Sequence, residues 1–142
     1  MLLALMPLGF VPGNIIVGKL VNRFSTKSLL MIGSILLIIG PTVSFFTSNL
    51  YYHQLAFFVP MIVMAFGIGM IWPVANTAII QAVPSLAGSA AGISSALMVT
   101  ISAISSAILG WNIENSDPIL ALVGMLILVG VATFASSLFM KK

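Results

Sequence analysis

Residues 55–81 read LAFFVPMIVMAFGIGMIWPVANTAIIQ, and no Asp, Glu, Lys, Arg or His interrupts them. The run is far longer than a strand and does not alternate polar with apolar residues, so it predicts a helix. A bilayer core about 30 Å thick needs roughly 20 apolar residues per helix. This stretch is long enough to cross with a tilt or a kink. Lipid offers no partner to a backbone N–H, so a crossing segment must satisfy its own backbone.

The same reading extends in both directions. Residues 28–47 and 88–111 flank the first run as two further spans, and residues 1–21 and 119–139 complete a set of five. Outer-membrane strands would be about 10 residues long and alternating, which these are not. The connections, 22–27, 48–54, 82–87 and 112–118, are too short to hold a soluble domain. The expectation is one all-α integral membrane domain over residues 1–142.

Composition agrees. The chain is 61% hydrophobic and 5% charged, whereas a soluble domain carries roughly 25% charged residues to face water. That excludes a soluble enzyme, a nucleic-acid binder, a disordered tail and a secreted scaffold. There is no cysteine, hence no disulfide framework and no thiolate chemistry. No H-E-x-x-H, G-x-x-x-x-G-K-[ST] or G-x-S-x-G pattern is present, so no metal, cofactor or hydrolytic centre is expected.

The placement of charge predicts direction. Lys19, Arg23 and Lys27 surround the first connection, and Lys141 and Lys142 follow the last span. Five spans put both places on one side of the membrane. Cytoplasmic flanks carry the Lys and Arg excess, which predicts an outside amino terminus and a cytoplasmic carboxyl terminus. The opposite connections hold His53, Glu114 and Asp117 and no Lys or Arg. The chain starts directly in an apolar run without the basic region of a signal peptide. An odd number of spans that begins so abruptly leads us to expect part of a larger bundle.

The first connection reads GKLVNRFSTK over residues 18–27. It resembles the cytoplasmic loop signature G-x-L-x-D-R-x-G-R-K of the major facilitator superfamily, with Gly18, Leu20, Arg23 and Lys27 matching. Asn22, Ser25 and Thr26 depart from it, as in the second copy of this loop between the eighth and ninth helices. Residues 87–96, AGSAAGISSA, resemble the start of the eleventh helix in multidrug efflux carriers of the bicyclomycin-resistance type. Gly67, Gly69, Pro73 and Asn76, ahead of the Pro84 turn, resemble their tenth helix. The resemblance implies helices eight to twelve of twelve, a partial carboxyl-terminal half-bundle. It implies a bacterial-type inner-membrane antiporter that exports small amphipathic compounds or drugs in exchange for protons. On that reading the amino-terminal half is missing from this sequence and would be its partner, together with the lipid bilayer, the small-molecule substrate and protons.

Candidate functional residues fall in three groups. Pro73 lacks an N–H and frees the Gly69 carbonyl, four residues back. Trp72, Asn76 and Thr77 lie within a turn of it, as where a broken helix lines a polar cavity; the plainer reading is a kink with Asn76 bonded to a neighbour. Asn14, two residues after Pro12, repeats the pattern as a further cavity residue. Gly18, Arg23 and Lys27 form the gating loop of the resemblance, or else simple topology anchors and phosphate partners. Lys19 is expected to snorkel. Gly88, Gly92, Ala96 and Thr100 recur every four residues, and Ser102, Ser106 and Gly110 repeat the pattern, giving faces suited to close helix packing. Tyr51 and Tyr52 suit an interfacial belt, with His53 beside them.

No carboxylate or histidine lies in the middle of a span. A proton relay needs a titratable group inside the membrane, and the resemblance puts that acid in the other half. The rival expectations are a truncated membrane protein that does not transport, a helix-packing partner module, and a small carrier working as a homodimer.

Overall fold

The computed structural model describes residues 6–50, 54–82, 84–115 and 117–139. They form five helices, α1 (Met6–Leu20), α2 (Thr26–Leu50), α3 (Gln54–Ala82), α4 (Ala87–Asn115) and α5 (Pro118–Phe139), with a 3-10 turn at Pro84–Leu86. Each of the five apolar stretches falls on a helix. α2 to α5 are long and apolar enough to cross a membrane, and α1 is described over 15 residues.

Local chemistry sets the helix ends. Ser25 caps α2: its Oγ accepts the Ser28 N–H at 3.2 Å and its carbonyl accepts the Leu29 N–H at 3.1 Å. The Ser that departs from the loop signature is thus the N-cap. At α5, Asp117 Oδ1 accepts the Ile119 N–H at 3.0 Å. Pro118 follows at the first helical position, where a missing N–H costs nothing. α4 runs on to Asn115, so Glu114 belongs to its last turn rather than to the connection.

α3 occupies the middle, with α1 on one side and α2 on the other, and α5 packs on the far side of α2. Glycine is what lets these axes approach. A Cβ on Gly13 would collide with the Phe66 carbonyl and stand 3.2 Å from the Gly69 Cα. One on Gly9 would meet the Ile62 carbonyl, and one on Gly69 the Phe10 carbonyl. Towards α2, a Cβ on Gly67 would lie 2.7 Å from the Gly33 carbonyl, and one on Gly40 2.7 Å from the Met64 nitrogen. Gly67 and Gly69, read from sequence as loosening a turn, therefore serve two different neighbours. Among the described residues no glycine has a positive φ. These glycines serve approach, the attraction that remains when lipid removes the hydrophobic drive.

The register follows from the same pairs. Gly9, Gly13 and Val17 meet successively later residues of α3, so α1 and α3 run parallel. Gly33 meets Gly67 and Gly40 meets Met64, so α2 and α3 run antiparallel. Two buried clusters fill the joints. Val17, Leu29, Leu30, Met70 and Val74 form the one near the first connection. Leu37, Met61 and Met64 form the other. α4 stands apart: it touches α3 and α5 lightly, and none of its described side chains is buried.

Candidate functional site

α3 carries two internal prolines, Pro60 and Pro73, and the fold treats them differently. Pro60 deprives the Ala56 carbonyl of its helix donor. Thr47 of α2 replaces that donor, with its Oγ1 2.6 Å from the Ala56 oxygen. Ser44, fully buried, donates to the Phe57 carbonyl at 2.7 Å. A hydroxyl of a neighbouring helix, that of Thr47, thus satisfies the backbone that Pro60 has opened, as a membrane interior requires, and Ser44 adds a second bond beside it.

Among the described residues no neighbouring hydroxyl supports Pro73 in this way. The hydroxyl nearest in sequence, Thr77, donates to the Pro73 carbonyl at 2.8 Å and not to Gly69. Thr77 itself is exposed, Asn76 is half-buried, and Trp72 keeps 50% of its surface open. Beside this turn lies a cleft of about 160 Å³ between α1 and α3, lined by Val17, Gly18, Val21, Pro73, Val74 and Thr77. Two groups of candidates meet there, Gly18 of the loop and Thr77 of the proline turn. Trp72 and Asn76 flank the same turn without lining the cleft. Asn14 is half-buried, and its Nδ2 turns back to the Phe10 carbonyl of its own helix at 3.4 Å.

The loop itself is a tight reversal. The N–H groups of Arg23 and Phe24 both reach the Leu20 carbonyl at 2.9 Å. Gly18 is exposed, and a Cβ there would meet nothing within 4 Å. Arg23 is exposed, whereas Lys27 is half-buried and donates from Nζ to the Leu138 carbonyl at 3.0 Å. A lysine from the start of α2 therefore holds the first connection beside Leu138 of α5.

The small-residue face of α4 has no partner among the described residues. Gly88, Gly92, Ala96 and Thr100 are all exposed, and a Cβ on Gly88, Gly92 or Gly110 would meet nothing within 4 Å. Thr100 donates to its own helix at Ala96, 2.9 Å away. Tyr51, Tyr52, His53, Lys141 and Lys142 lie outside the described residues. Among the described residues no group of three His, Cys, Asp or Glu could hold a metal ion.

Sequence reading missed Ser44 and Thr47, since no linear pattern ties a hydroxyl on one helix to a proline on the next. It also passed over Gly9-x-x-x-Gly13, a spacing that was legible.

The sequence profile of the Major Facilitator Superfamily matches residues 1–142, the whole chain. The chain belongs to this superfamily. Neither a curated protein nor a solved structure matches it. The superfamily consists of secondary transporters rather than enzymes, and with four helices long and apolar enough to cross a membrane the chain is a multi-pass membrane protein. The packed set of α1, α2, α3 and α5, with α4 bare, is consistent with a partial half-bundle of that family.

Proposed function

We propose that this superfamily chain supplies helices eight to twelve of a drug–proton antiporter of the bicyclomycin-resistance type. The carrier would export small amphipathic compounds across a bacterial-type inner membrane, with the amino end of this segment outside and its carboxyl end in the cytoplasm. The observation that carries the reading is the signature loop at the end of α1. Gly18 lines the α1–α3 cleft beside the Pro73 turn, and Lys27 ties the same loop to the end of α5. A loop so placed can pass a rearrangement of α3 to the outer helices. Trp72, Asn76 and Thr77 then belong to the cavity wall, with Asn14 a more distant member. Arg23 and Lys27 belong to the gate, and Gly88, Gly92, Ala96 and Thr100 to the face that α4 offers to helices of the other half.

In this reading the proton-carrying acid comes from the amino-terminal half. The two acidic residues of this chain, Glu114 and Asp117, lie where α4 ends and α5 begins. The test has two arms. A reading frame that includes seven spans upstream, expressed in cells without their own pumps, should lower accumulation of amphipathic cations, and a protonophore should abolish the effect. Vesicles holding the 142 residues alone should show no drug movement when a pH gradient is imposed. Gradient-driven movement by the chain alone would overturn the division of labour and favour the homodimer.

A further inference from the structure

Among the described side chains, the end of the molecule that carries the first connection has cations and no carboxylate. Lys19 and Arg23 are exposed, and Lys27 is committed to the Leu138 carbonyl. The two acidic residues are Glu114 and Asp117. Asp117 caps the start of α5, about 30 Å of helix away from Leu138 at a rise of roughly 1.5 Å per residue. Among the described side chains the one carboxylate, Asp117, is therefore out of reach of Lys19 and Arg23.

Beside them opens the α1–α3 cleft. Its lining is Val17, Gly18, Val21, Pro73 and Val74, with Thr77 as the one polar side chain. Gly18 precedes Lys19, and Val21 stands two residues before Arg23, so the apolar cleft and the two cations share the end of α1. Phe24, 48% exposed, and Val21, 45% exposed, add apolar surface at the same level. Exposed positive charge with no carboxylate beside it among the described side chains, next to an apolar slot, fits an amphipathic anion.

We propose that this end binds an anionic phospholipid, its headgroup phosphate against Lys19 and Arg23 and the upper part of an acyl chain in the α1–α3 cleft. The site is independent of the transport reading, because it requires the charges and the cleft but no conformational cycle. Each cation near an anionic membrane surface contributes about 1 kcal/mol, or about fivefold in affinity.

Trp72, next to the cleft residue Pro73, is the reporter, with Trp111→Phe removing the other tryptophan. The chain is reconstituted in mixed vesicles of phosphatidylcholine and phosphatidylglycerol, with one lipid or the other brominated in its acyl chains. Quenching should give a relative affinity at least about fivefold in favour of phosphatidylglycerol. Lys19→Ala with Arg23→Ala should bring the ratio to about one, while quenching by brominated phosphatidylcholine stays unchanged as the check on folding. Gly18→Leu puts a side chain where a Cβ meets nothing and should fill the cleft. It should lower the preference with both charges intact. A ratio near one in the parent, or a preference that survives Gly18→Leu, overturns the proposal. So does displacement by inorganic phosphate beyond that of sodium chloride at equal ionic strength, since that would mark a site for the free anion.

Discussion

Replacing Thr47 by Val should cost stability only while Pro60 is present. Thr47 Oγ1 has one proton and three acceptors in range: the Ala56 carbonyl at 2.6 Å, Val43 at 2.9 Å and Ser44 at 3.2 Å. The shortest contact is also the one to the acceptor that Pro60 has stripped of its helix donor. Valine keeps the branched shape and removes the hydroxyl, leaving the Ala56 carbonyl without that replacement. Interhelical hydrogen bonds in membranes average about 0.6 kcal/mol and reach about 1.7. An acceptor left without a donor belongs at the upper end, so the expected cost is about 1–2 kcal/mol. Pro60→Ala restores an N–H four residues after Ala56, and in that background Thr47→Val should cost less than about 0.5 kcal/mol. The coupling energy of the cycle is then about 1 kcal/mol. Ser44→Ala is the control. Its acceptor, Phe57, can still use the N–H of Met61, so its cost should be the same in the parent and in the Pro60→Ala background. The assay is equilibrium unfolding in mixed micelles with increasing denaturing detergent. Equal costs for Thr47→Val in both backgrounds would refute the reasoning, for the hydroxyl would then be doing something other than replacing the missing N–H.

Three further outcomes are expected. Gly13→Leu should destabilise the chain by about 1–3 kcal/mol, because its Cβ collides with the α3 backbone and backbone cannot yield cheaply; Gly92→Leu, with nothing nearby, should stay within about 0.5 kcal/mol in the same unfolding assay. In the full carrier, Arg23→Ala should lower drug export more than it lowers protein in the membrane, and equal losses would leave the loop as a topology anchor. Reporter fusions after Glu114 and after Lys142 should report opposite sides of the membrane, with Lys142 cytoplasmic; two cytoplasmic signals would reject the arrangement of α4 and α5.

What the sequence makes legible here is set by what lipid demands. A backbone that must bond to itself announces its helices as long uncharged runs, so all five were readable, as were the family's loop residues Gly18, Leu20, Arg23 and Lys27. The helix ends were less so, because caps such as Ser25 and Asp117 act over a few residues and carry the starts of α2 and α5 slightly beyond the apolar runs. Pairing was not legible at all. Gly67 and Gly69 are two residues apart and face different helices, since that spacing turns roughly 200° around a helix; a linear reading merges them into one flexible turn. The candidates Trp72, Asn76 and Thr77 were singled out through Pro73, and of the three Thr77 lines the α1–α3 cleft. The cleft that joins Thr77 to Gly18 needed the parallel register of α1 and α3.

The two populations of glycine explain why α4 looks unlike its neighbours. In α1, α2 and α3, glycines such as Gly9, Gly13, Gly40 and Gly69 sit where another backbone already occupies the space a Cβ would take. Gly88 and Gly92 of α4 occupy open space, although their four-residue spacing is the same. Glycine in a helix interior costs about 1 kcal/mol relative to alanine, and among the described residues Gly88, Gly92 and Gly110 of α4 meet no neighbour that would offset it. The hydroxyls of Ser95 and Thr100 turn back to carbonyls of their own helix, at 2.9 Å each, so they too bond to no neighbouring helix. We propose that a helix whose glycines meet so little among the described residues is shaped for contacts outside these five helices. On the antiporter reading those contacts are the helices of the other half, the same half that must bring the buried acid.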